Sequence, residues 1–286
     1  MTALGVLASL TPDAIVAAAS LVRLGLVIDL SIPMDADVLP QGDPAFSEPF
    51  HRWDVLTPEQ WHERVGSEKD AFHLDAIGGS IHQGTHIDGL VHVVNDGKVF
   101  DGQDAGSART DKGWTFGGIE TVPPIVTRGV LIDRLPARDG RPLTGSEEVT
   151  VADIDEALAR SGATVRSGDA VLLRTGKIRE LATARATFLD SQPGIGVEAA
   201  VHLADAGMAV FGSDTGGTEP QPVRDWSRTV HVELLTRRGI HLVEWMDLDT
   251  LATALVEHER TDFLFIAIPL RITGGTGSWV RPIALI

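Results

Sequence analysis

Three histidines and one aspartate lie within residues 82–92, and their types and spacing suit a metal site. His82, His86, Asp88 and His92 all have even numbers, so in an extended segment their side chains would project from one face. Neutral imidazole and carboxylate are ligands for zinc, manganese or iron(II). Two histidines and the aspartate would leave an open coordination position, as catalytic sites do, and His92 would remain free for proton transfer. Gly84 removes a side chain where a metal or backbone must approach closely.

A structural role is the alternative, because a single histidine in a strand is more often a core or surface residue than a ligand. The chain has ten histidines. Four ionisable groups on one face of an apolar strand are harder to explain in this way, since buried ionisable groups are costly unless they are paired or bound to metal. The segment therefore predicts a divalent metal site with a nearby base.

The pattern His-x-Gly-Thr-His-x-Asp-x-x-x-His resembles the signature of the metal-dependent cyclase-like hydrolase family, which includes bacterial kynurenine formamidases, isatin hydrolases and trans-dienelactone hydrolases. Further segments resemble other parts of the family pattern: residues 26–31, 171–176, 211–215 and 231–244. The resemblance covers residues 26–286. It implies an α/β, single-domain swivelling β/β/α cyclase-like fold, with a mixed sheet or barrel-like core flanked by helices, after an N-terminal helical extension at residues 1–25.

The resemblance also implies which residues form the site. The metal ligands would be His82, His86, Asp88, His231 and Glu244. Asp88 would be able to bridge two ions, His231 and Glu244 would complete the second site, and His92 would be the catalytic acid/base. The implied cofactor is a divalent metal, zinc or manganese, with one or two ions per chain.

The second pair of ligands is less distinctive than the first. His231 follows a predicted helical run that begins near Trp226, and Glu244 follows a short apolar strand at residues 240–243, so both could be ordinary residues at the ends of elements. His241 competes with His231 as a ligand, and the residues themselves do not choose between them. After the metal aspartate, many relatives have Ala-Pro where this chain has Gly89-Leu90.

Composition favours a globular enzyme with a small substrate. The 286 residues suffice for one large α/β domain, with 43% hydrophobic and 22% charged residues. The net charge of −16 argues against binding to nucleic acid or to anionic membranes, both of which attract basic surfaces. The sequence contains no cysteine, which excludes disulfides, thiolate ligands and a cysteine nucleophile. We expect a cytoplasmic protein that acts on a small-molecule carbonyl compound.

The elements that would position these residues alternate along the chain, which favours an α/β architecture. Strands are predicted near residues 26–32, 86–94, 129–133, 169–174, 208–213 and 262–268. Helices are predicted at residues 11–24, 58–65, 151–162, 178–188, 196–207, 226–238 and 248–259. Residues 96–118 are rich in glycine and aspartate and predict a long loop beside the site. Aromatic residues predict a wall over the cleft: Phe46, Phe50, Trp53, Trp61 and Phe72.

Hydrolysis is the predicted chemistry. A bound divalent ion lowers the pKa of its water from 15.7 towards about 7, and His92 would take the proton of that water and deliver it to the leaving group. The resemblance favours an amide carbon–nitrogen bond, in an aryl formamide such as N-formylkynurenine or a cyclic amide such as isatin, with a lactone as the alternative. A non-catalytic, metal-containing module that binds a small acid and a metal-dependent lyase or isomerase are two further alternatives.

The expected partners follow from the resemblance and the composition. Family members are homo-oligomers, so a homodimer or homotetramer is expected, with the predicted helix at residues 11–24 packed across the interface. We expect no nucleic acid and no membrane partner, since no apolar run approaches the length that spans a bilayer.

Overall fold

The structure is a computed structural model that describes residues 3–35, 49–67 and 69–286. The strands of these residues are β1 Val27–Asp29, β2 His51–Leu56, β3 Leu74–Gly78, β4 His86–Asp88, β5 Arg109–Thr110, β6 Gly113–Trp114, β7 Ile125–Asp133, β8 Glu148–Val149, β9 Ala170–Arg174, β10 Gly194–Ile195, β11 Val210–Ser213, β12 His241–Glu244, β13 Phe263–Ala267, β14 Gly277–Trp279 and β15 Ile283–Leu285. The α-helices are α1 Pro12–Ala19, α2 Pro58–Val65, α3 Ala105–Ala108, α4 Val151–Ser161, α5 Glu180–Thr183, α6 Val197–Asp205 and α7 Asp249–Glu257. A π-helix spans Val232–Arg238.

Nine strands form one mixed sheet in the order β1-β15-β13-β7-β9-β11-β12-β4-β14. The central strands β7, β9, β11 and β12 are parallel, and antiparallel strands extend the sheet on both sides. Helix α4, helix α6 and the π-helix lie between successive parallel strands in the chain. Parallel neighbours require such crossover connections, so the alternating sequence pattern and the sheet topology agree.

The central strands are buried along most of their length because both faces of the sheet are covered. All five residues of β9 are buried. Helix α4 covers one face with Ile154 and Ala157. Its start is set by a capping box between Thr150 and Asp153, and its end by Gly162, which adopts a φ of 72°. The helix predicted at residues 151–162 is therefore confirmed.

The carboxyl ends of β9 and β11 are tied together by the buried Asp214. Its carboxylate accepts hydrogen bonds from the Thr175 N–H at 2.8 Å, the Thr175 hydroxyl at 2.6 Å and the Gly176 N–H at 2.6 Å. Ligand sites of open α/β sheets lie at the carboxyl ends of parallel strands. This contact therefore stabilises the carboxyl ends of the central strands, where such a site is expected.

Several predicted elements are shorter than the sequence pattern suggested, among them the helix expected at residues 178–188, of which only α5 at Glu180–Thr183 is α-helical. The strand expected at residues 86–94 ends at Asp88, because the chain turns there: the Gly89 N–H donates to the Thr276 carbonyl and the His92 N–H donates back to the Gly89 carbonyl. The helix expected at residues 226–238 does not begin near Trp226. Asp225 instead accepts hydrogen bonds from the backbone and hydroxyl of Ser227, a local turn that competes with helix formation.

The N-terminal helix also differs from its prediction. Helix α1 ends at Ala19, and the Leu24 N–H donates to the Ile286 carbonyl, which draws the chain towards the edge of the sheet. Ala18 is buried, and α1 contacts β7 and β13 of its own sheet. The buried face of this helix therefore packs against the sheet of its own chain.

No α-helix of the described residues is both long enough and apolar enough to cross a membrane.

Candidate metal centre

Strand β4 supplies the first two side chains of the site. His86 and Asp88 are two positions apart in the strand, so they lie on one face. Glu244 on the neighbouring strand β12 pairs with His86. This pairing places the Glu244 Oε2 3.6 Å from the His86 Nε2. The same nitrogen lies 3.4 Å from the Asp88 Oδ1. Sheet register therefore brings one imidazole and two carboxylates together.

The ring of His86 is oriented by a turn before the strand. Its Nδ1–H donates to the Gly84 carbonyl at 2.9 Å, and Gly84 has a φ of 75°, a conformation that favours glycine. Because Nδ1 carries the proton, Nε2 keeps its lone pair on the side of the two carboxylates. Imidazoles that bind metals are held in this way by a carbonyl or carboxylate.

His82 and His92 reach the same carboxylate from turns. The His82 Nδ1 donates to the Asp88 Oδ1 at 2.9 Å, and its Nε2 lies 2.9 Å from the Thr276 Oγ1. The His92 ring stacks on the His82 ring with centroids 3.9 Å apart, and its Nε2 is 4.0 Å from the Asp88 Oδ1. The strand alternation that we used to group these residues holds for His86 and Asp88 and is wrong for His82 and His92, which lie outside β4.

His231 joins the cluster from the start of the helical segment that precedes the π-helix. Its Nε2 is 3.6 Å from the Asp88 Oδ2 and 3.3 Å from the Glu244 Oε1. His241, the competing candidate, donates from Nδ1 to the backbone carbonyl of Asp88 at 2.8 Å. The structure thus brings His231 to the carboxylates and His241 to the backbone behind them.

Three contacts of the site were missed by sequence reasoning. Glu219 Oε2 accepts from the Nδ1–H of His231 at 2.7 Å and from its backbone N–H at 3.3 Å. The Thr218 hydroxyl donates to the Glu244 Oε1 at 2.7 Å, and Thr276 contacts His82. Each of these residues lies in a glycine-rich turn, where polar residues are common for conformational reasons. Their position after a strand or near its end was the only available signal.

Burial and neighbouring charges shift the pKa values of the cluster in different directions. Burial lowers the pKa of His92 to about 3, so this imidazole is neutral at physiological pH. Burial also disfavours charge on His231, but Glu219 and Glu244 outweigh it and raise its pKa to about 10. Burial raises the pKa of Glu244 to about 7. For Asp88, the surrounding histidines outweigh burial and hold its pKa well below the usual value.

Among the residues that the structure describes, two groups of three side chains have potential ligand atoms within 4.8 Å of one another, and Asp88 belongs to both. One group is His82, Asp88 and His92, and the other is His86, Asp88 and Glu244. Within the described residues the Asp88 Oδ2 is buried and has no hydrogen-bond partner. A buried carboxylate oxygen without a donor is costly, and a cation would satisfy it. Nitrogen and oxygen donors of this kind suit divalent transition metals.

A cavity of about 630 Å³ opens onto the cluster. Its other walls are apolar or uncharged for the most part: Val93, Val94, Leu189, Gln192, Gly216, Gly217, Gln221, Trp226 and Thr229. Of the aromatic residues predicted to form a wall, Phe46 lies outside the described residues and Phe50, Trp53, Trp61 and Phe72 do not line this cavity. The predicted long loop at residues 96–118 contributes instead to a second cavity of about 710 Å³, which shares His92.

Comparisons with solved structures identify the fold. A crystal structure of a novel cyclase aligns over 99% of this chain and 96% of its own, with 28% identity and a TM-score of 0.88. Isatin hydrolase A from Ralstonia solanacearum aligns over 96% of this chain and 97% of its own, with 20% identity and a TM-score of 0.67. Isatin hydrolase A from Labrenzia aggregata, bound to benzyl benzoate, aligns over 93% and 94%, with 22% identity and a TM-score of 0.64. The predicted α/β cyclase-like fold is confirmed.

The comparison with curated proteins found no match. The family model described as "Putative cyclase" matches residues 28–220, more than half of the chain. This span contains the whole motif at residues 82–92 and ends one residue after Glu219. Because the match includes the motif, strands β7, β9 and β11 and the turn that carries Glu219, the chain belongs to the Cyclase family.

Proposed function

We propose that this chain is a metal-dependent hydrolase that cleaves an amide carbon–nitrogen bond, in an aryl formamide or a cyclic amide such as isatin. The observation that carries the proposal is the buried Asp88 carboxylate, around which four imidazoles converge within 4.0 Å. The likeness to two isatin hydrolases in fold supports the amide class.

The proposed metal ligands are those that the family resemblance implied: His82, His86, Asp88, His231 and Glu244. Asp88 and Glu244 are two buried carboxylates in one cluster, and one zinc or manganese ion, or two, would offset their mutual repulsion. When bound, the ion would supply a Lewis acid that polarises a carbonyl and acidifies a water.

His92 is the proposed acid/base. Since burial keeps its imidazole neutral, a ring nitrogen can accept the proton of the attacking water as the water oxygen bonds to the carbonyl carbon. The carbon–nitrogen bond then breaks, and the imidazolium returns the proton to the leaving nitrogen. The products are a carboxylic acid and an amine, which remain in one molecule when the substrate is a cyclic amide.

The cavity walls support a planar, uncharged substrate body. Trp226, Leu189 and the two valines of residues 93–94 offer apolar surface, while the side-chain amides of Gln192 and Gln221 can bond to polar edges. The described residues that line the cavity include neither lysine nor arginine. The walls thus favour a neutral cyclic amide over an aryl formamide that carries a free carboxylate.

Elemental analysis tests the metal first, on purified protein before and after reconstitution with zinc or manganese, with His86→Ala as the control. We expect one or two ions per chain and fewer in the control. The loaded protein is then given isatin, an aryl formamide and a lactone in ¹⁸O water, and we expect label in the acid product of an amide. Stoichiometric metal without turnover of any amide would favour the binding module or another reaction class, and no stoichiometric metal would overturn the proposal.

A further inference from the structure

Trp245, the residue directly after Glu244, has an unusual backbone conformation. Its φ is 59°, in the left-handed region that bulky residues rarely adopt. The other non-glycine residues with positive φ in the described part of the chain are acidic: Asp96, Asp101, Asp139 and Glu259. Trp245 is instead aromatic and fully buried. Its surroundings must therefore hold it in a conformation that it would not adopt by itself.

This residue bends the chain at the end of β12. Up to Glu244, the strand pairs with β4, and Glu244 lies opposite His86. Continued by one residue, this antiparallel register would place Trp245 opposite Thr85. The pairing stops there instead, and the next residue, Met246, forms a bridge with Ser31 beyond β1. The bend is thus confined to one residue, directly after a proposed metal ligand.

The hydroxyl of Thr85 spans this bend. Thr85 comes directly before His86 and is buried. Its hydroxyl donates to the Trp245 carbonyl at 2.7 Å and accepts from the Ile32 N–H at 2.9 Å. The Trp245 N–H donates to the Thr215 carbonyl at 2.9 Å. Both polar groups of the strained residue are therefore held, one by a loop carbonyl and the other by the side chain of Thr85.

The indole ring of Trp245 explains why a large residue occupies this position. The ring packs against Phe188 with centroids 4.9 Å apart. A Cβ at Gly216 would lie 2.9 Å from the Trp245 Cζ2, so the ring lies directly against a residue that lines the cavity of about 630 Å³. A glycine at position 245 would adopt the same φ without strain, but it would leave the space of the ring empty. The strained backbone therefore accompanies a packed support of the cavity wall.

We propose that Thr85 is a positioning residue for the metal ligands His86 and Glu244, a role that rests on the proposed function. Its hydroxyl holds the end of β12 against the start of β4 through the Trp245 carbonyl. The Thr218 hydroxyl bonds to the Glu244 carboxylate, so one threonine orients the side chain of this ligand and the other fixes its backbone. Without the Thr85 hydroxyl, the φ of Trp245 would relax and Glu244 would shift away from His86.

Calorimetric titration of the metal-free full chain with zinc tests this role. Thr85→Val removes the hydroxyl and keeps the shape of the side chain. Loss of a group that holds a metal ligand in place costs about 10–100-fold in affinity, so we expect the dissociation constant for zinc to rise at least about tenfold. Thr85→Ser keeps the hydroxyl and should bind zinc nearly as the wild-type protein does.

Thr127→Val is the matched control. Thr127 is also buried, and its hydroxyl donates to the Gly168 carbonyl at 2.6 Å. It lies on β7, which β9 and β11 separate from β12, so this variant should keep the wild-type affinity. Wild-type affinity in Thr85→Val would overturn the proposal. An equal loss of affinity in Thr85→Ser or in Thr127→Val would also overturn it, because the effect would then not come from the Thr85 hydroxyl.

Amide hydrogen exchange gives a second readout that needs neither metal nor turnover. Labelling the six tryptophans with ¹⁵N gives a separate backbone signal for each, and the signal of Trp245 is the one that Trp245→Phe removes. In the metal-free wild-type protein, the Trp245 N–H should exchange slowly, as buried bonded amides do. The Trp61 N–H is an internal reference that should exchange fast, because it lies on α2, a helix without buried residues.

Thr85→Val should accelerate exchange at Trp245 several-fold more than Thr127→Val does. Fast exchange at Trp245 in the wild-type protein would overturn the proposal even if Thr85→Val failed to fold. Equal acceleration in the two valine variants would overturn it as well. Selective acceleration by Thr85→Val in a protein that binds no zinc would support the Thr85–Trp245 contact and overturn only the proposed function.

Discussion

Asp88 is the residue on which the site converges. Its two carboxylate oxygens lie near the ring nitrogens of His82, His86, His92 and His231, at 2.9 Å, 3.4 Å, 4.0 Å and 3.6 Å. These imidazoles differ in what else they contact, and those contacts support the proposed division between ligands and a proton carrier. His86 and His231 each donate from Nδ1 to a fixed oxygen, so their Nε2 atoms are the free positions. His92 contacts the cluster chiefly through its stack on His82.

His92→Ala should therefore remove turnover and leave metal binding intact. General acid/base catalysis contributes about 10²–10⁴ to rate, so kcat should fall by that factor while the ion content per chain stays at the wild-type value. Steady-state kinetics and elemental analysis of the same preparation measure both. Loss of the ion together with activity would identify His92 as a ligand instead, a role that its neighbours His82 and Asp88 make geometrically reasonable.

Glu219→Gln should weaken metal binding through His231. The carboxylate of Glu219 orients the ring and raises its basicity, and loss of such an outer partner costs about 10–100-fold in metal affinity. Calorimetric titration of the metal-free protein with zinc measures this directly. Glu198→Gln is the control, because Glu198 is exposed and pairs with Arg228. Equal affinities for both variants would show that His231 does not need Glu219.

At the scale of elements, the packing of the site residues on and before β4 depends on the neighbouring strand β14. Gly277 on β14 pairs with Asp88, and a Cβ at Gly277 would lie 2.8 Å from the His82 Cε1 and 2.9 Å from the Ile87 carbonyl oxygen. The absence of a side chain at this position is thus required by the His82 ring. Thr276 in the same glycine-rich run, residues 274–278, contacts the His82 ring at 2.9 Å, so this run packs against the site.

Gly277→Ala should displace His82 and destabilise the sheet edge. Overpacking of this kind typically costs about 1–3 kcal/mol, so we expect a lower midpoint in urea together with weaker zinc binding. In Gly106→Ala the added Cβ meets only the Asp104 side chain at 3.3 Å, and this control should unfold at the wild-type midpoint. A fully stable Gly277→Ala variant with wild-type affinity would contradict the packing argument.

The start of α7 should make stability depend on pH. Burial disfavours charge on Asp249, but hydrogen bonds from Arg179 and Arg174 outweigh it and lower its pKa. The ionised group therefore stabilises the fold above the unfolded-state pKa of about 4, and this stabilisation disappears as pH falls through the lowered folded-state value. Asp249→Asn should cost about 1 kcal/mol at pH 7, because the group is partly exposed.

Urea unfolding at pH 7 and at pH 3 measures this difference, and the gap between Asp249→Asn and wild type should narrow at the lower pH. Asp139→Asn serves as a control, since that side chain is 94% exposed. A gap that widens on acidification would mean that Asp249 titrates in the opposite sense.

Sequence patterns predicted the bounds of elements well where neighbouring residues determine them, and less well where contacts with distant parts of the chain determine them. Helix α4 begins at a capping box and ends at a glycine, so its bounds were predictable. The shift from strand to turn after Asp88 was not, because the Gly89 N–H bonds to Thr276, far along the chain. Strands β14 and β15 have three residues each, too few for a periodic signal. Glu219 carries no local pattern that distinguishes it from a loop carboxylate.

For the whole molecule, the proposed ion should act as a stabiliser. An ion that binds only the folded state adds about 2.7 kcal/mol when its concentration is 100 times the dissociation constant. Calorimetry of metal-free protein with increasing zinc should therefore show a rising midpoint temperature. His86→Ala should give a much smaller rise. If the midpoint temperature of the wild-type protein did not change with zinc concentration, this would argue against a metal site that is specific to the folded state.

The residues of the site are far apart in the sequence, so they are synthesised at different times. His82 and Thr276, which touch at 2.9 Å, are 194 positions apart. While a ribosome builds the chain, the histidines and Asp88 of residues 82–92 emerge long before His231 and Glu244, so an early peptide offers only part of the proposed ligand set. The complete set of ligands exists only once the late strands have joined the sheet. The proposed ion would therefore be selected by the finished fold and by the metals available to it at that moment.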